Sequence, residues 1–130
     1  MKKIDRQKWY TGGCHYGKIR FQVKLGKSQI LKCNCSICRK KGYLHLIVPP
    51  EQFHLLQGEE SLSTYSFNTH TAIHKFCSTC GVHPFYTPRS HPQDIDVNLN
   101  ALDDDLTKSI EINDFDGQNW EANIESITET

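Results

Sequence analysis

A chain of 130 residues with 15 basic and 15 acidic side chains is long enough for one hydrophobic core and short for two, and it holds no Lys/Arg run of the density that polyanion binders show. No apolar run approaches a membrane span, and the opening MKKIDRQKWY carries charge without the apolar stretch of a secretory leader. The expectation is a single cytoplasmic domain over residues 1–130, with no membrane partner. In a reducing compartment the six cysteines, at 14, 33, 35, 38, 77 and 80, suit metal chelation better than disulfides. Charge is unevenly spread: residues 1–41 hold twelve Lys or Arg against Asp5, and residues 90–130 hold eleven acids against Lys108. Two ends lying side by side account for this more simply than nucleic acid does.

Thr11 to Gly17 reads as a glycine-bracketed turn carrying Cys14. Lys18 to Lys24 alternates, with Ile19, Phe21 and Val23 on one face, as in a half-buried strand. Ile30 and Leu31 lead into Cys33-Asn34-Cys35-Ser36-Ile37-Cys38, and Ser36 to Lys41 has the length of a helical turn stopped by Gly42. Strands are expected over Tyr43 to Val48, over Phe53 to Leu56 and Leu62 to Phe67 as a hairpin about Gly58, and over Ala72 to Phe76. The last runs into Cys77-Ser78-Thr79-Cys80-Gly81, a zinc-knuckle shape whose glycine lets the loop turn its N–H groups toward the sulfurs. Further strands are expected at His83 to Thr87, Asp94 to Leu99 and Ile110 to Phe115, with an amphipathic helix over Asn119 to Ile127. The aromatics Trp9, Phe21, Phe53, Phe67, Phe76, Phe85 and Trp120 read as core or near-core. The sum is a β-rich domain of short strands pinned by metal.

Spacing alone allows two partitions of the thiols. Cys35 and Cys38 with Cys77 and Cys80 make one four-sulfur zinc site, leaving Cys14 and Cys33 spare. Alternatively Cys14 joins Cys77 and Cys80 at one metal while Cys33, Cys35 and Cys38 hold another. The first needs no unusual coordination and is slightly favoured on spacing, but it leaves Cys33 without a role.

GGCHYG, CNCSIC with its basic tail RKKG, THTAIHKFCSTCGVHPFYTPRS and NDFDGQNWE together resemble the glutathione-dependent formaldehyde-activating enzyme family, and within it the branch that includes centromere protein V. The resemblance runs from about residue 12 to 120. It implies a mainly β, zinc-bound Mss4-like fold of short antiparallel strands, and condensation of formaldehyde with glutathione, a carbon–sulfur lyase activity of the S-(hydroxymethyl)glutathione synthase type. It also implies the second partition: Cys14, Cys77 and Cys80 at a structural zinc, and Cys33, Cys35 and Cys38 at the zinc that meets substrate. The family's remaining structural ligand falls on Tyr16, and a neutral phenol is a poor zinc ligand. His15 and His83 are the neighbouring replacements the sequence offers.

A zinc held by three thiolates carries net negative charge and suits binding a fourth thiol, of free pKa about 8.5, better than generating hydroxide. Arg39, Lys40 and Lys41 are placed to offset that charge and to attract the carboxylates of a glutathione-like ligand. His70, His74, Tyr86 and Arg89 flank the knuckle as further substrate-binding candidates, a histidine assisting proton transfer. The rival reading is a non-catalytic, zinc-stabilised module binding nucleic acid, chromatin or protein through its basic N-terminal third.

Overall fold

The computed structural model describes residues 4–66, 73–88 and 90–117. The strands divide into two sheets. The smaller orders β1 (Trp9–Gly13), β2 (Arg20–Lys24) and β5 (Phe53–Gln57) as an antiparallel trio. The larger has seven strands in the order β10-β3-β4-β9-β8-β7-β6. They are β3 (Ile30–Cys33), β4 (Leu44–Val48), β6 (Leu62–Tyr65), β7 (Ile73–Cys77), β8 (Phe85–Thr87), β9 (Ile95–Asn98) and β10 (Ile112–Phe115). Among the described residues every strand pairing is antiparallel except β10 with β3, which run parallel.

Strict alternation makes the large sheet two-faced. Register pairs Ile30 with Leu46, Leu46 with Val97 and Val97 with Phe85, a row of apolar side chains that meets the small sheet. Against it pack Phe21 and Phe53, stacked with centroids 5.5 Å apart, and Phe53 lies 4.8 Å from Phe85. Ile19, Phe21, Val23, Leu25, Ile30, Leu46, Val48 and Val97 are wholly buried there. Each side chain of that size contributes roughly 1.5–3 kcal/mol when removed from water. The opposite face of the large sheet carries a different row, and the site is built on it.

Three expectations are corrected. Phe53–Gln57 and Leu62–Tyr65 do not pair as a hairpin: the first joins β2 and the second β7, so the chain crosses between sheets through Gly58. Glycine is required there, since its φ is +95° and a Cβ would sit 2.7 Å from Ile19 Cα. The segment before Cys14 is the strand β1, with the turn confined to residues 14–17; Gly12 and Gly13 lie in it because a side chain at either would strike Ala101 or Ile19 backbone. Trp9 and Phe76 are only partly buried. The expected helix over Asn119 to Ile127, with Trp120, and also Phe67, lies outside the described residues.

Candidate metal centres

The single α-helix among the described residues, α1 (Ser36–Lys41), starts directly after Cys35 and stops at Gly42, which takes the left-handed conformation at φ 65° that glycine tolerates. This short turn folds Cys38 back toward Cys33 and Cys35, and the three Sγ atoms lie within 4.8 Å of one another. Sulfurs around a tetrahedral zinc, at bond lengths of about 2.3 Å, sit roughly 3.8 Å apart, so the cluster fits the ion with small adjustment. The sulfurs also compete for protons. A hydrogen bond to Cys35 pushes the Cys33 thiol up to about 11, while hydrogen bonds from Cys33 and Cys38 bring Cys35 down to about 2. Cys38 is pushed far up by its bonds to Cys33 and Cys35 and by burial. Without a cation the cluster sustains one thiolate; a divalent ion removes the competition.

Cys33 ends β3 on the face opposite Ile30, so the cluster sits on the polar face of the large sheet. Across that face run His45 on β4, Asp96 on β9, Tyr86 on β8 and His74 on β7, the last three directly paired in register. His45 Nε2 lies 3.2 Å from Cys38 Sγ, and its Nδ1 lies 2.5 Å from Asp96 Oδ2. Tyr43, fully buried, donates to the Asp96 carbonyl at 2.5 Å. Burial holds the phenols of Tyr43 and Tyr86 well above their usual range, so both remain protonated. His74 stacks on Tyr86 with centroids 4.6 Å apart. Lys41 reaches inward from the end of α1, 4.6 and 4.7 Å above the rings of Tyr43 and Tyr86, and donates to His74 Nδ1 at 3.1 Å. Burial, then the Lys41 charge, takes His74 down to about 4, and burial lowers Lys41 itself. His74 is therefore neutral near pH 7, with Nδ1 accepting from Lys41.

Gly117 closes one side of the cluster. β10 delivers it beside the cysteines, Asn34 donates to Asp116 at 3.0 Å, and a Cβ at Gly117 would collide with Cys33 Sγ and approach Cys35 Cβ to 3.0 Å.

Cys14, Cys77 and Cys80 form the second triad, again with all Sγ atoms within 4.8 Å. Cys14 comes from the β1–β2 turn and Cys77 from the end of β7, so this cluster joins the two sheets. Backbone N–H groups aim at the sulfurs, Ile19 at Cys14 and Thr79 at Cys77, each at 3.4 Å. Burial pushes the Cys80 thiol up, but N–H groups of Val82 and Tyr16 and the neighbouring thiols outweigh it and bring it down to about 7. Gly81, at φ 79°, makes the knuckle's turn. Such a donor set suits a thiophilic divalent ion.

The six thiols thus separate into two triads on opposite faces of the large sheet, and Cys35 and Cys38 are not brought to Cys77 and Cys80. Among the described residues no fourth Cys, His, Asp or Glu joins either cluster, His15 and His83 included. Tyr16 is 62% exposed with Lys18 over its ring. Of the substrate-binding candidates, His74 and Tyr86 meet at the polar face beside the first triad. Arg39 and Lys40 are exposed on α1, and their neighbour Lys41 is the one that turns in. His70 and Arg89 lie outside the described residues. His45 and Asp96 were not anticipated. The available signal was a lone ionisable residue in each of two apolar strands, LHLIV and IDVN.

Fold and site define a small, mainly β, zinc-binding domain with two cysteine clusters. Residues 9–116 match the family model described as glutathione-dependent formaldehyde-activating enzyme, and the chain belongs to that family. A crystal structure of a Rhodobacter sphaeroides protein, a Northeast Structural Genomics target, is similar at TM-score 0.71 and 32% identity, over 81% of this chain and 99% of that one. No helix among the described residues is long and apolar enough to cross a membrane.

Proposed function

We propose that the protein binds a small, glutathione-like thiol at a zinc held by Cys33, Cys35 and Cys38 and adds it to an aldehyde such as formaldehyde. The observation that carries this reading is a cluster of three sulfurs, with no fourth protein donor among the described residues, facing a polar row of side chains. When bound, zinc supplies the charge that lets a fourth thiol bind as thiolate at neutral pH. In the addition, sulfur attacks the carbonyl carbon, the C=O π pair moves to oxygen, and oxygen takes back, through solvent, the proton that the thiol released on binding, giving a hydroxymethyl thioether. Lys41 and the exposed Arg39 and Lys40 attract the carboxylates of the thiol. Tyr86 and neutral His74 serve as hydrogen-bond partners rather than as strong acids. Cys14, Cys77 and Cys80 would hold a second zinc with a structural role.

Zinc-loaded protein is expected to show saturable turnover of formaldehyde with at least one of glutathione, cysteine and coenzyme-like thiols, and Cys38→Ser to abolish thiol binding. Absence of saturable turnover across these thiols overturns the reading. The resemblance to the branch containing centromere protein V keeps a zinc-stabilised binding module as its rival. Salt-sensitive polyanion binding that survives Cys38→Ser in a folded protein favours that rival.

A further inference from the structure

His45 and Asp96 are buried to 5% and 1% exposure, on adjacent strands, in a domain that has little need of two ionisable groups in its interior. Register explains how they meet: His45 pairs with Asn98, so Asp96 is its diagonal neighbour on the same face. A carboxylate can only accept, so the imidazole donates from Nδ1 to Asp96 Oδ2. That bond fixes the ring and aims Nε2 at Cys38 Sγ, 3.2 Å away. His45 does not enter the group of ligand atoms that close on one another, so it stands behind the sulfur rather than beside it as a ligand. Where an imidazole binds a metal, a carboxylate behind it fixes its direction, and here the same pair stands one position further out, behind the Cys38 sulfur.

We infer that His45, aligned by Asp96, is a positioning residue that orients the Cys38 sulfur toward the metal of the Cys33, Cys35 and Cys38 cluster. This rests on the reading of that cluster as a metal site, but not on thiol chemistry there. Cys38 needs such a partner more than its fellows do. It is the only buried sulfur of the three and sits in a six-residue helix, where the backbone alone leaves its side chain free to rotate.

The test uses the protein loaded with ¹¹³Cd²⁺ and no thiol present, so that it is independent of turnover. Two resonances are expected from the wild-type protein, one per triad, and the Cys14, Cys77 and Cys80 signal reports on folding across the sheet. His45→Phe keeps the ring but loses both nitrogens. It should move the other resonance and weaken that site roughly 10- to 100-fold in chelator competition, leaving the folding reporter in place. His45→Gln keeps a polar side chain that can reach the sulfur and should restore most of the affinity, and Asp96→Asn should fall between the two. A resonance unmoved by His45→Phe overturns the inference, as does equal loss in the Gln and Phe variants. Should the Phe variant lose both signals, the Gln variant decides: near-wild-type signal and affinity uphold the inference, and loss overturns it. Absence of a Cys33, Cys35 and Cys38 resonance from the wild-type protein overturns both this inference and the metal reading beneath it, whereas failed turnover with the shift intact overturns only the thiol reading.

Discussion

At the scale of single residues, the polar face works because each group constrains its neighbour. Lys41 is held over two tyrosine rings and donates a hydrogen bond to His74, and burial, with the Lys41 charge, keeps His74 neutral down to about pH 4. A histidine freed by unfolding titrates near 6.5. Between those two values the unfolded chain takes a proton that the folded chain refuses. The stabilisation is therefore complete above pH 6.5, declines as pH falls and levels off below about 4. One pKa unit is worth about 1.4 kcal/mol, so the loss by pH 5 is up to about 2 kcal/mol. Urea unfolding of wild-type protein and His74→Phe at pH 7 and pH 5 checks this. The pH-dependent decrement should shrink by that amount in the variant, and equal decrements would contradict it. Because acid also displaces metal from thiolates, only the difference between the two proteins is diagnostic.

At the scale of elements, the chain was readable where a local rule decides the outcome. Ile19, Phe21 and Val23 alternate in sequence and are all fully buried, and α1 stops at the glycine that can turn left-handed. Pairing was not readable, because alternation sets which side chains go inward but leaves the partner strand open. β5 and β6 are neighbours in sequence with turn residues between them, and each nonetheless finds a different sheet. The same limit hid His45 and Asp96. Each is an isolated polar residue until β4 and β9 lie side by side, whereas the cysteines announce themselves by spacing. The Gly58 crossover follows the same logic in reverse: its conformation and its contact with Lys18 and Ile19 backbone both demand the missing Cβ. Gly58→Ala should destabilise the fold by about 2 kcal/mol or more, against a few tenths for a substitution at exposed Glu60, measured by denaturant midpoint at constant m-value.

For the molecule as a whole, the placement of the triads on opposite faces of one sheet predicts an unequal dependence on metal. Cys14 belongs to the small sheet and Cys77 to the large one, so an ion shared by them closes a loop of about sixty residues and holds the sheets together. Treating the ion as a cross-link, closing a loop of that length removes chain entropy worth roughly 4 kcal/mol from the unfolded state, against roughly 2 kcal/mol for the short loop spanning Cys33 to Cys38. Cys14→Ser should therefore lower stability by about 2 kcal/mol more than Cys35→Ser, and should remove most of the stabilisation that a chelator abolishes in the wild-type protein. Cys35→Ser, in turn, should lower stability by no more than about 2 kcal/mol while removing thiol binding. Thermal scans of the two variants with and without zinc, paired with metal stoichiometry, test the separation. If both variants lose the same stability, the sheet does not insulate the two clusters, and the division between an ion that holds the fold and an ion that meets substrate fails with it.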